Sequence, residues 1–271
     1  MGRTLAKLVQ LPLGQPVSVT NIAGAAGNEG LAKLGQRPAD GYTMATLSGL
    51  SVASWAAGLG GAKIDDFEIV AWAQNTPSML FVPKQSPYVA IQDLLGFAKL
   101  NPRAIKVATS GFGTGDDVTL RLLARMGYPM TNVPFANPLE RYHAAVSGET
   151  EAIYEEPGDV ARYLLKRDLR PLVVFDDVRH YGFLKVPTAP EVGVDITNLH
   201  NFRALVVRAG TPRDRIRTLT AAFDYVLDSP EWGVFCVRTF TCIRKAHPDE
   251  AKQAAHEFHR AVRKVLDTVP R

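Results

Sequence analysis

Short apolar runs alternate along this chain with longer segments in which apolar residues return every three or four positions. The short runs predict β-strands and the periodic segments predict amphipathic helices. The predicted strands cover residues 16–21, 43–47, 67–76, 78–83, 104–109, 131–135, 152–154, 171–175 and 203–207. The predicted helices cover residues 3–11, 27–36, 91–101, 116–126, 139–147, 159–167, 213–227, 230–239 and 248–268. This alternation favours parallel βαβ units and an α/β fold.

Two of the strand segments resemble crossings between lobes, "SMLFVPKQSP" and "FRALVVRAGTP". Each is an almost wholly apolar strand followed by a turn that contains proline. They predict a first lobe built from both ends of the chain, residues 1–82 and 204–271, and a second lobe of residues 83–203. Ligands of open α/β sheets bind beyond the carboxyl ends of the strands, so a cleft between two such lobes is the expected binding site.

Composition and charge remove several classes of protein. The 271 residues are 46% hydrophobic, which is typical of a globular chain. The net charge is only +4 and the basic residues are scattered without interleaved aromatic residues, so we expect no nucleic-acid partner. No run of about 18 apolar residues predicts a membrane span. The start, "MGRTLAKLVQLPLG", lacks the apolar core of a secretory signal.

The chain has two cysteines, Cys236 and Cys242, and neither belongs to a cluster with zinc spacing. Free cysteine is among the most buried residue types, so the favoured interpretation is two buried thiols. The alternative is a disulfide that closes "CVRTFTC", which would require an oxidising compartment.

The stretch "KVATSGFGTGDD" predicts a strand, a glycine-rich turn and a helix start. It lacks both the G-x-G-x-x-G spacing and an acidic residue at the end of the next strand, and no Gly-Lys-Ser/Thr follows, so a nucleotide site is not expected. Unpaired N–H groups at a helix start, together with the hydroxyls of Thr109, Ser110 and Thr114, can hold a carboxylate or a phosphate. Asp116 and Asp117 fall in the first turn and partly satisfy the helix dipole themselves. The alternative is a tight turn that needs glycine for its backbone angles.

The sequence matches none of the catalytic motifs that we compared with it. Ser110 lacks the flanking glycines of a nucleophile elbow, and "HEFH" lacks the spacing of a zinc protease helix. Glu155 and Glu156 are adjacent on an extended segment, where neighbouring side chains point in opposite directions, and they are interpreted as leading into a helix. We therefore expect no enzyme activity, no metal and no cofactor.

Several motifs together resemble the solute receptors of tripartite tricarboxylate transporters, also called the Bug family. "PVSVTNIAGAAGNEG" followed by "RPADGYTM" is similar to the family pattern V-V-V-E-N-R-P-G-A-G-G-N-x-G and P-D-G-Y-T-L. The order continues through "DFEIVAWAQNTPSMLFVP", "SGFGTGDDVTLRLL", "VPFANPLERYHAAVSGETEAIY", "VPTAPEVGV" and "ALVVRAGTP". The resemblance covers about 250 residues.

The resemblance implies a two-lobed type II periplasmic binding protein fold and a receptor that captures a small carboxylated organic molecule between its lobes. Such a receptor delivers its solute to the membrane permease of the transporter, in the periplasm and without catalysis. The positions that match the family's carboxylate-binding loops are Thr109, Ser110, Gly111, Gly113, Thr114, Phe135, Ala136 and Asn137, with Ser48 and Thr76 as weaker candidates. The alternative function is a cytoplasmic ligand-sensing or partner-binding module on the same fold, which we expect if Met1 is the true start.

The sequence departs from the family pattern at three places. The family histidine after the glycine loop is Asp117 here, and the family Lys-Gly pair is Ala136 and Asn137. Both changes remove features that suit an anionic ligand. By the resemblance, the family's first strand and its P-F-x-x-G-G-x-x-D loop would precede Arg3.

Overall fold

The structure is a computed structural model of the 271-residue chain, and it describes residues 1–196, 201–242 and 248–268. The chain divides into two compact units. Unit 1 comprises Met1–Asn75 and Phe202–His259, and unit 2 comprises Thr76–Asn201 and Arg260–Arg271. The division into two lobes with boundaries near residues 82 and 204 remains a prediction from the sequence.

Unit 1 contains a three-stranded sheet together with helices. Its elements are α1 (Gly2–Leu13), α2 (Asn28–Gly35), β1 (Ala45–Ser48), α3 (Gly49–Ala56), β2 (Phe67–Thr76), β8 (Asn201–Arg208), α8 (Arg213–Leu227), α9 (Pro230–Thr239) and most of α10 (Pro248–Thr268). The strand order is β1-β8-β2, and β1 runs antiparallel to β8 with Ala45 opposite Val206. Helix α1 packs against α8, and their shared core includes the fully buried Val9 and Phe223.

Unit 2 contains a five-stranded sheet in the order β5-β4-β6-β3-β7. Its elements are β3 (Met79–Pro83), α4 (Ile91–Leu100), β4 (Lys106–Thr109), α5 (Gly115–Arg125), β5 (Thr131–Pro134), α6 (Pro138–Ser147), β6 (Ala152–Glu155), α7 (Ala161–Leu165) and β7 (Leu169–Val174). Strands β4, β5 and β6 are parallel, as predicted, so their carboxyl ends share one edge of the sheet. The fully buried Met79, Phe81 and Ile153 lie in the core.

The prediction of parallel pairing fails for β3, which runs antiparallel to both β6 and β7. This strand follows β2 through a two-residue connection, without the crossover helix that joins parallel neighbours. Strand β3 therefore does not belong to a parallel βαβ unit.

Two further predictions of secondary structure are wrong. Residues 16–21 form no strand, because this segment has no ladder partner and Val17 packs instead on the core of unit 1. The sequence pattern predicts no helix at α3, since the residues of this helix are buried on nearly every side and show no amphipathic period.

The favoured interpretation of the cysteines is also corrected, because Cys236 and Cys242 form a disulfide. Phe240 ends α9 in the left-handed region with φ of 52°, and the Thr241 N–H donates to the carbonyl of Cys236 at 3.0 Å. This turn brings the two cysteine Cα atoms within 5.5 Å, a distance that a disulfide can span.

Candidate functional site

The glycine loop, residues 110–114, joins the carboxyl end of β4 to the start of α5. Gly111 and Gly113 have φ of 135° and 74°, a region that other residues enter only with strain. The interpretation of a tight turn that needs glycine is therefore confirmed at both positions. A Cβ atom built at Gly111 would meet no atom within 4 Å, so space is open beside the loop at this point.

Thr114 is the N-cap residue of α5. Its Oγ1 accepts from the Asp117 N–H at 3.5 Å and donates to the Gly111 carbonyl at 2.6 Å. These bonds tie the end of the loop to its beginning and to the first turn of the helix. The Thr114 hydroxyl, one of the predicted ligand donors, is thus engaged within the protein.

Two other predicted donors bind carboxylates of the chain itself. The Ser110 N–H and hydroxyl both donate to Oδ2 of Asp116, at 2.6 and 2.7 Å. The Gly113 N–H donates to Oδ2 of Asp117 at 2.9 Å. The loop has the geometry of a carboxylate site, and the carboxylates that it binds belong to the first turn of α5.

Asp117, at the position of the family histidine, is the centre of a buried polar network. Arg121 donates to its Oδ2 through Nε and Nη2, at 3.1 and 3.0 Å, and the Asn132 amide donates to Oδ1 at 2.9 Å. The fully buried Thr109 hydroxyl donates to the side-chain carbonyl of Asn132 at 2.5 Å. These contacts hold β4, β5 and α5 together below the loop.

Asp116 lies in a different electrostatic environment, beside Arg141, Glu155 and Tyr154. Burial raises its pKa, while the bonds from Ser110 and the charge of Arg141 oppose that rise. Burial also raises the pKa of Glu155 to about 7, although Arg141 forms a buried ion pair with it. One guanidinium thus serves the buried Glu155 and the partly buried Asp116, and complete ionisation of both carboxylates is costly.

Sequence reasoning does not identify Arg141 and Tyr154 as residues near the site. Both lie within the quoted segment "VPFANPLERYHAAVSGETEAIY", but nothing in its sequence shows that their side chains lie close to Asp116. The Tyr154 hydroxyl accepts from Thr119 at 3.0 Å, and burial raises its pKa, so it stays neutral. Glu155 is a candidate acid by residue type, but its partner, 14 positions earlier in the chain, is identified only from the fold.

The segment after β5 lies next to the glycine loop through its backbone. The Phe135 N–H donates to the Thr109 carbonyl at 3.0 Å, and Phe135 packs on the core of unit 2. Asn137 is exposed and caps α6, since its Oδ1 accepts from the Leu139 N–H at 2.9 Å. Ala136 is exposed. The structure thus brings residues 109–114 and 135 together and gives Asn137 a capping role.

The two weaker candidates for ligand binding, Ser48 and Thr76, lie in different parts of the fold. Ser48 is the N-cap of α3 in unit 1, and its Oγ accepts from the Ser51 N–H at 3.3 Å. Thr76 ends β2 with a fully buried hydroxyl that has no hydrogen-bond partner among the described residues.

The family-like motif of unit 1 forms an unusual loop. Ala25 and Ala26 both have positive φ, of 46° and 57°. Asn28 fastens this loop by donating to the Ala25 carbonyl at 2.6 Å, and it accepts from the Trp55 ring N–H at 2.5 Å. The asparagine of the motif therefore joins the loop to α3.

A cavity of about 730 Å³ lies beside that loop within unit 1. Its charged lining residues are Glu29, Asp65, Asp66 and Arg208. Three carboxylates against one guanidinium do not suit an anionic solute.

Among the described residues, the acidic groups close enough to share a cation are Glu155, Glu156 and Asp159, whose carboxylate oxygens lie within 4.8 Å of one another. Arg141 already neutralises Glu155, and Ser78 donates to Glu156 at 3.3 Å. This cluster is therefore interpreted as a part of the protein's own polar network.

Comparison with known proteins decides the family. The model of the tripartite tricarboxylate transporter family receptor matches residues 1–261. The chain belongs to this receptor family. A UPF0065 protein of Cupriavidus necator is 27% identical to this receptor over 232 residues, which cover 85% of the chain and 70% of the relative.

Solved structures agree with the family at the level of the fold. MatC from Rhodopseudomonas palustris, solved with bound malate, has a TM-score of 0.85 and 22% identity and covers 97% of this chain and 92% of its own. A second R. palustris protein, solved with adipate, has a TM-score of 0.87 and 21% identity, with shares of 98% and 91%. The predicted family and the predicted α/β periplasmic binding protein fold are both confirmed.

None of the helices in the described part of the chain combines the length and the hydropathy that a membrane span requires.

Proposed function

We propose that this receptor binds a small organic carboxylate at the glycine loop of unit 2 and delivers it to the permease subunits of a tripartite transporter. The observation that carries the proposal is the family match over residues 1–261. The malate and the adipate bound to the two R. palustris proteins support a carboxylate as the ligand class.

The local chemistry of the loop supports the same ligand class. Ser110 directs a backbone N–H and a hydroxyl to one carboxylate oxygen, and Gly113 directs an N–H to another. Donors at a helix start favour anions, because the helix dipole adds to the hydrogen bonds. Open space beside Gly111 leaves room for a solute at this loop.

The proposed location is the periplasm, and the proposed role is binding without catalysis. The disulfide between Cys236 and Cys242 supports an oxidising compartment over the cytoplasm. The relatives support a binding role, since the family consists of transporter receptors.

A thermal-shift screen of organic acids tests the proposal, since a ligand that binds only the folded state stabilises it. The panel contains malate, adipate and their uncharged diamides. We expect the carboxylates to raise the melting temperature and the diamides to leave it unchanged. Stabilisation by none of the acids, or equally by the diamides, would contradict the proposal.

Gly111→Val tests the place of binding, and Gly193→Val is its matched control in the same unit. Both glycines have positive φ and open space around a new Cβ, so both substitutions strain the backbone without a steric clash of the new Cβ. The Gly111 variant should lose the response to carboxylates, whereas the Gly193 variant should keep it. Equal responses of the two variants would exclude the glycine loop as the site.

A further inference from the structure

The most informative contact in unit 2 is the one between Ser110 and Asp116. The backbone N–H and the hydroxyl of Ser110 both donate to one oxygen of Asp116, Oδ2, at 2.6 and 2.7 Å. This is the arrangement in which a loop at a helix start binds the carboxylate of a ligand. Asp116 reaches it from the first turn of the helix that the loop precedes, so no separate molecule is needed to satisfy the donors.

The groups that face Asp116 make its negative charge costly. Arg141 of α6 is the neighbouring cation, and it is already joined to Glu155 of β6 in a buried ion pair. Tyr154 of β6 is neutral, because its raised pKa keeps the hydroxyl protonated. Asp117, the adjacent residue on α5, is bound to Arg121 and Asn132 and offers Asp116 no donor. A solute carboxylate at Ser110 would therefore be a third anion around one shared guanidinium.

We propose that Asp116 occupies the carboxylate position of the glycine loop, so that a solute carboxylate competes with it for the donors of Ser110 and binds together with one proton. This inference rests on the proposed function and adds its regulation. When the solute arrives, its carboxylate replaces Asp116 as the acceptor of the two Ser110 hydrogen bonds, and Asp116 takes up one proton from the solvent; no other covalent bond is made or broken. The neutral acid then no longer repels the bound carboxylate.

The direction of the pH effect follows from linkage. The bound solute is an additional anion near Asp116, so it raises the pKa of Asp116 further than burial alone does. Affinity for the carboxylate then increases as the pH falls through the interval between the two pKa values. The slope approaches tenfold per pH unit for the uptake of one proton.

The test is calorimetric titration of the full chain with malate and with adipate between about pH 5.5 and 8. Each titration is repeated in two buffers of different ionisation enthalpy, which measures the protons taken up on binding. The variants are Asp116→Asn, Asp116→Ala and the control Glu149→Gln, which changes an exposed carboxylate of the same unit. Circular dichroism identifies any variant whose fold differs from that of the wild type. The two replacements at residue 116 differ in size and polarity, so the test stays decisive if one of them fails to fold.

We expect both Asp116 variants to bind the carboxylates about tenfold more tightly than the wild type does at pH 8. Their binding should take up no proton at residue 116, and its pH dependence should be that of the ligand's own ionisation. The wild type and Glu149→Gln should take up a proton on binding, and the uptake should approach one per bound solute at pH values between the two pKa values of Asp116. Tight binding by the wild type without proton uptake would overturn the inference and leave the proposed function intact. Proton uptake that persists in Asp116→Asn would show that a group other than Asp116 takes up the proton and would also overturn the inference. Absence of carboxylate binding in all four chains would contradict the proposed function itself.

Discussion

At the scale of single residues, the donors of the glycine loop bond to acceptors of the protein itself. Ser110, Gly113 and Thr114 are predicted to donate to a ligand, and the fold shows each of them bonded within the loop or the first turn of α5. Sequence shows that Asp116 and Asp117 lie at the helix start. It cannot show that the two side chains take different directions, because rotamers depend on the packing around them.

Asp117 gives the first prediction. Asp117→Ala leaves Arg121 buried without this carboxylate, and we expect a loss of about 3 kcal/mol in the free energy of unfolding. Asp267→Ala is the control, because Arg263 and Asp267 form a pair with the same spacing on an exposed surface. That change should cost less than about 1 kcal/mol. Urea denaturation measures both values, and similar losses would contradict a structural role for Asp117.

Glu155 gives a prediction about pH. Its pKa is raised to about 7 in the folded state from its usual value of 4.5, because the carboxyl group is buried. The folded protein therefore binds this proton more tightly than the unfolded chain does. The resulting stabilisation is fully present below about pH 4.5 and is lost as the pH rises through about 7.

Urea denaturation at a series of pH values measures this effect. Between about pH 4.5 and 7, unfolding free energy should fall more steeply in the wild type than in Glu155→Gln, whatever the absolute stability of the variant. Glu149→Gln, an exposed change in the same unit, should follow the wild type. Parallel curves for wild type and Glu155→Gln would show that another group is responsible.

At the scale of elements, local signals are sufficient where the ends of a helix are marked. Helices α8, α9 and α10 begin and end where the periodicity predicts. Ser229 caps α9, with Pro230 at its first position, a combination that sequence alone reveals. Residues 16–21 show the opposite case, since a strand depends on a neighbour that no local pattern can supply.

The disulfide likewise depends on the turn after α9, which brings Cys236 and Cys242 together. The favoured interpretation of free thiols fails because the left-handed Phe240, which reverses the chain, has no marker such as glycine in the sequence. Reduction should lower the free energy of unfolding by about 2 kcal/mol, because the closed loop is short.

Denaturation with and without dithiothreitol measures that loss. The double variant Cys236→Ala, Cys242→Ala is the control, because dithiothreitol has no disulfide to reduce in it. Its stability should therefore be the same under both conditions. A wild type that is equally insensitive to the reductant would contradict the pairing.

At the scale of the whole molecule, the order of weak motifs predicts more than any single one does. Six motifs indicate the receptor family before any helix is placed, and the family match over residues 1–261 confirms it. Composition and charge disfavour a nucleic-acid partner but do not indicate the ligand. The proposed carboxylate site consists of two carboxylates, one guanidinium and the glycine loop, which only the fold brings together.

The central claim is that a solute carboxylate binds at residues 110–114 of unit 2. The most direct measurement is a nuclear magnetic resonance titration of the glycine-labelled chain with malate and with adipate. We expect the amide signals of Gly111 and Gly113 to shift with saturation, because they belong to the loop, while those of Gly148 and Gly193 stay in place. Saturable shifts confined to glycines outside the loop, with Gly111 and Gly113 unchanged, would contradict the account.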